Sequence, residues 1–75
     1  MSSEIIIKKM VKDLESEYEY GMSHKRYAGD CYNKACAIAD FVIMLLWSEG
    51  DHEASEKAEN LWNDKWEVKF MELLQ

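Results

Sequence analysis

Apolar positions along this chain fall into three blocks with helical spacing. In the first block Ile7, Met10, Val11, Leu14, Tyr18 and Met22 recur at steps of three and four, which is one stripe on a helix. Lys9, Lys12, Asp13, Ser16 and Glu19 take the opposite side, and Ile5 stands outside the stripe. The pattern predicts an amphipathic helix over about residues 4–20, with Ser2 or Ser3 as N-cap and Glu4 in a first turn that favours an anion. Its end has two candidate signals. Gly21 as C-cap with a restart at Ser23 competes with a break at Gly29-Asp30. Matching the lengths of the second and third helices favours the first, which puts the second helix at about 24–48.

The second block, residues 35–47 (ACAIADFVIMLLW), sets twelve apolar residues around one charge, Asp40. Thirteen residues fall short of the roughly twenty that cross a hydrocarbon core, so the run reads as a buried helix rather than a membrane span. At 100° per residue Ala35, Ile38, Ala39, Val42, Leu45 and Leu46 form one face, the expected core. Cys36, Ile43, Met44 and Trp47 form another face around Asp40, and Phe41 lies beyond the edge of the core stripe. Two neighbouring helices with one stripe each either wrap this helix fully or leave the second face open. The expectation is the open face, covered by another molecule, because Trp and Met are enriched at interface cores and large apolar patches mark interaction sites. A Lys or Arg of a partner would pair Asp40 within such a patch.

Ser48-Glu49-Gly50 then ends the second helix, and Asp51 caps a third over about residues 52–74. Ala58, Trp62, Trp66, Phe70 and Leu73 lie four, four, four and three apart, an aromatic stripe flanked by Leu61 and Leu74. Two long helices joined by a tight turn pack as a hairpin, so the expected fold is all-α, a compact antiparallel three-helix bundle forming a single domain over residues 1–75. The absence of proline and the presence of only three glycines agree with that class.

Charge narrows the choice of partner. The formal charge is −6, and residues 51–75 carry seven acidic against three basic groups. Such a balance disfavours direct nucleic-acid binding, which takes a Lys or Arg for each phosphate neutralised, and it permits docking on a basic protein surface. Tyr18, Tyr20, Tyr27 and Tyr32 gather near Lys25 and Arg26, but acids at 15, 17, 19 and 30 surround that basic pair. They suit the polar rim of a protein interface better than a nucleic-acid groove. The beginning Met1-Ser2-Ser3-Glu4 shows no basic leader before an apolar run, and the two cysteines are five apart on one helix, pointing away from each other. A reduced, cytoplasmic protein without a membrane anchor is expected.

No catalytic or cofactor motif stands out. His24, Cys31, Cys36 and His52 lack the spacing of any zinc finger or ribbon, and the carboxylate pairs Glu15/Glu19 and Glu56/Glu59 fall on solvated helix faces. The chain therefore reads as a non-enzymatic binding protein with neither metal nor cofactor. A very small acidic chain of this kind fits an inhibitor or adaptor of the type of phage-encoded antagonists of host defence, anti-CRISPR proteins included. Its partner would have a basic or apolar surface. The expected contact residues are Cys36, Asp40, Ile43, Met44 and Trp47 on the second helix, with Glu53, Glu56, Glu59, Asp64 and Glu67 on the third. A homodimer that buries the second apolar face is the alternative, and a nucleic-acid-associated protein or an enzyme is third.

Overall fold

A computed structural model describes residues 2–75 of the chain; Met1, with which the leader reading begins, lies outside them. They form an all-α bundle of three helical rods and contain no strand. The first rod is α1 (Ser3–Ser23) and the second is α2 (Ala28–Ser48), preceded by a 3₁₀ turn at Lys25–Tyr27. The third is continuous but not uniform: α3 (His52–Leu61) passes through a π-helical turn (Trp62–Trp66) into α4 (Glu67–Leu74). Ile7, Met10 and Leu14 of α1 and Ala58, Trp62, Trp66, Phe70 and Leu73 of the third rod are all buried, as their stripes predict.

The π turn follows from the spacing of the aromatic stripe. An α-helix advances 100° per residue, so each step of four overshoots a full turn by about 40°. Three such steps would carry Phe70 about 120° round from Ala58, off the core. A turn closed by an i to i+5 bond, here Glu67 N–H to the Trp62 carbonyl, absorbs one residue and brings Trp66 and Phe70 back inward. Tyr18 of α1 meets the edges of both rings, at centroid distances of 6.3 Å to Trp66 and 5.5 Å to Phe70.

The inward side of α2 is mostly small. Its fully covered positions are Ala28, Cys31, Ala35, Ala39, Val42 and Leu46, which corrects the expected core face. Ile38 and Leu45 are only half-buried, and Ala28 and Cys31 lie inside instead.

The first break falls at neither glycine. α1 runs on to Ser23, and the chain turns through His24, whose backbone N–H bonds the Tyr20 carbonyl at 2.8 Å. Gly21 is buried within α1 because the far end of α4 presses on it: a Cβ there would stand 2.9 Å from Leu73 Cδ2. Gly29 sits inside the first turn of α2 with open space beside it. No side chain caps α2, so the sequence holds no N-cap signal for its start.

The second break is the predicted one. Gly50 takes the left-handed conformation, φ +84°, that ends α2. Asp51 then caps α3, accepting the Ala54 N–H at 3.1 Å through Oδ1 and the Ser3 hydroxyl at 2.6 Å through Oδ2. These two bonds, with the Ser3 hydroxyl the stronger influence, hold the Asp51 carboxyl below its usual range and tie the start of α1 to the start of α3.

Deleting Asp64 turns the stripe spacing from four-four-four-three into four-three-four-three, the rhythm of an ordinary α-helix. The shortened chain should keep its fold, with the π turn replaced by α-helix and an unfolding free energy within about 1 kcal/mol of the parent by chemical denaturation. Loss of cooperative unfolding would show that the extra residue is needed for reasons other than register.

Candidate functional site

The C-terminal half of α2 and the first turns of α3 enclose a shallow groove of about 610 Å³. Ile43, Met44 and Trp47 form one wall; His52, Glu56 and Glu59 form the other. The corner at Gly50-Asp51 sets the two helices side by side. Ser55, the one polar residue buried among the described residues, fastens the floor by donating its hydroxyl to the Ile43 carbonyl at 2.8 Å. Sequence reasoning passed over Ser55, although its place three residues before Ala58 continues the inward stripe. Above this floor the Trp47 indole stacks on the His52 ring at 3.8 Å and 15°.

The wall on α2 is apolar and open. Met44 is 68% exposed and Trp47 59%, and farther round the same helix Phe41 is 67% exposed, as Ile5 is to 59% on α1. Together they leave several hundred Å² of apolar surface in water, the upper range for a lone soluble domain. The wall on α3 is acidic. Glu53, Glu56 and Glu59 are exposed, and the two ion pairs among the described residues, Glu4–Lys8 and Lys9–Asp13, both lie on α1. Lys65 and Lys69 of the third rod spread over aromatic rings instead, with Lys69 Nζ 4.8 Å from the centres of Tyr18 and Trp66.

Six of the ten sequence-predicted contact residues, Ile43, Met44, Trp47, Glu53, Glu56 and Glu59, therefore share this groove. Asp40 is exposed one turn before Met44 on α2 and extends the acidic rim. Asp64 is exposed in the π turn, along an outer surface that also carries Glu53, Glu56, Lys57 and Lys65. Cys36 is half-buried against the core. Glu67 departs from the expected acidic face: the π turn swings it towards α2, where it is half-buried and accepts the Tyr32 hydroxyl at 3.4 Å. Spacing along a straight α-helix had grouped it with Glu53 and Glu56.

The tyrosines do not form one surface either. Tyr18 and Tyr32 pack on the core, whereas Tyr20 and Tyr27 are exposed beside His24 and Arg26. Cys31 is buried at the crowded end of α1, and burial, seconded by Glu17, pushes its thiol up, away from the reactive thiolate. Among the described residues no three His, Cys, Asp or Glu side chains converge as a metal site. Counted as one rod, Lys25–Ser48 spans 24 residues and is apolar enough to cross a membrane by length and composition alone. The run of residues 35–47 that looked too short is thus continued at its N-terminal side by helix carrying Asp30 and Lys34.

Tyr32 gives the region behind the groove a pH signature. A hydrogen bond with the Cys36 thiol, reinforced by burial and by Glu67, pushes its phenol up to about 12. Folding thus favours the protonated phenol. Its stabilisation is complete below the unfolded value near 10 and is lost as pH rises from there through 12. Unfolding free energy should decline over that window in the wild type, and the decline should be shallower in Tyr32→Phe; identical slopes would refute the assignment. Comparison with known proteins finds no family model, curated protein or solved structure that matches this chain.

Proposed function

We propose that this chain is a non-enzymatic protein that acts by binding another protein, seating a basic, apolar-tipped segment of it in the groove between α2 and α3. One observation carries the reading: Met44 and Trp47 lie open to water directly beside Glu53, Glu56 and Glu59, which have no cation of their own within ion-pairing distance. A helix or loop bearing Leu or Phe flanked by Lys or Arg matches both walls. Its apolar side chain would be buried against Trp47 and supply the holding energy, while the carboxylates steer the encounter. Asp40 and Asp64 lengthen the acidic rim at either end.

The reading takes successive rods as antiparallel. The Ser3–Asp51 and Ser55–Ile43 bonds at one end of the bundle and the approach of Leu73 to Gly21 at the other support this. By size, acidity and lack of a chemical motif, the chain fits an inhibitor or adaptor that occludes a functional surface of a larger target, as phage-encoded antagonists of host defence, anti-CRISPR proteins among them, do.

Affinity capture from native cytosol tests the reading when wild type is compared with Glu56→Lys/Glu59→Lys, whose fold is checked by circular dichroism. A partner held by the wild type should be released as salt rises and should fall at least about tenfold in yield on charge reversal. A partner retained equally by both proteins at all salt concentrations would overturn the groove as the binding site.

A further inference from the structure

The other flank of α2 carries a second groove of about 670 Å³, between Ile5 and Ile6 of α1 and Ile38, Phe41 and Leu45 of α2. Its chemistry differs from that of the acidic groove. The charges on its walls, Lys9 and Asp13, are bonded to each other at 2.7 Å, so an incoming molecule meets almost only apolar surface. Along the adjoining ridge of α2 the exposed residues Lys34, Ala37, Phe41, Met44 and Ser48 recur at steps of three, four, three and four. That is the rhythm of a seam along which one helix lies against another, and neither α1 nor the third rod covers it.

We propose that a second copy of this chain covers the seam, with the two α2 helices crossing antiparallel about a two-fold axis between Phe41 and Met44. The charge pattern selects this occupant and this direction. In that register Phe41 of each copy meets Met44 of the other, and Ala37 meets Ser48. Lys34, the only charged residue of the seam, falls beside the C-terminal end of the opposite α2, where Glu49 and the last carbonyls carry negative charge. A parallel pairing would set Lys34 against Lys34. A basic foreign segment finds no free carboxylate in this groove. The same contact would cover Ile5, Phe41 and Met44, each more than half exposed in the single chain. The assembly takes up Met44 but leaves Trp47, Glu53, Glu56 and Glu59 of each copy facing outward, so a dimer would present two acidic grooves that hold a partner through Trp47.

Sedimentation at micromolar concentration, at low and moderate salt, tests the proposal. The wild type should sediment as a dimer that tightens as salt screens two subunits of charge −6, the opposite salt response to that expected of the acidic groove. Phe41→Glu should raise the dimer dissociation constant at least about 100-fold while keeping full helicity and its hold on any partner of the acidic groove. Lys34→Glu should weaken the dimer, and adding Glu49→Lys should restore it. Three results would overturn the proposal: a monomeric wild type, a dimer indifferent to Phe41→Glu, or a monomer that floats with phosphatidylcholine vesicles through the same face. Loss of partner capture on Glu56→Lys/Glu59→Lys with the dimer intact leaves this inference standing, so the two readings fail separately.

Discussion

The bundle depends on burying the aromatic ridge of its third rod. Trp62, Trp66 and Phe70 supply the volume at the centre, where Tyr18 of α1 and Tyr32 of α2 meet their rings. The covered side of α2 is mostly small, with Ala28, Cys31, Ala35 and Ala39 beside Val42 and Leu46. At the packing density of protein interiors, forcing a larger side chain into such a core costs about 1–3 kcal/mol. Phe41, Met44 and Trp47 face water on the other sides of the same helix.

That asymmetry bears on the proposed binding role. The inward side of α2 is mostly small, and its outward side leaves Phe41, Met44 and Trp47 open to water. The outward side is divided by its surroundings. Towards α3 it borders unpaired carboxylates, and towards α1 it borders only a closed Lys9–Asp13 pair. One flank is thereby walled by acids and the other is almost wholly apolar. Fastening falls to groups outside the apolar surface: the Asp51 cap, the Gly50 turn and the Ser55 hydroxyl keep α2 and α3 in the relation that forms the acidic groove.

Much of this was legible in the sequence where local chemistry decides. Ser48-Glu49-Gly50-Asp51 is punctuation that acts through the backbone, and the stripe from Ala58 to Leu73 is buried residue for residue. The first break was not legible, because Gly21 answers to Leu73, more than fifty positions away, and not to a local turn. Likewise the 100° spacing of α2 brings Ile38 and Leu45 onto the expected core face and omits Ala28 and Cys31, which lie inside against Gly21 of α1. Phe41 was set aside as an edge residue and is in fact central to the exposed seam. The four-residue steps of the aromatic stripe did announce a departure from 3.6 residues per turn, and following them through would have predicted both the π turn and the displacement of Glu67 from the acidic face.

The exposure of α2's outer face is the claim on which the functional readings rest, and tryptophan accessibility measures it directly. The chain has three tryptophans. Acrylamide quenching of the Phe41→Glu protein, which holds the face free of a second copy, should resolve one readily quenched, red-shifted component from Trp47 and a shielded remainder from Trp62 and Trp66. Emission that is shielded throughout would place Trp47 inside the subunit and contradict the account.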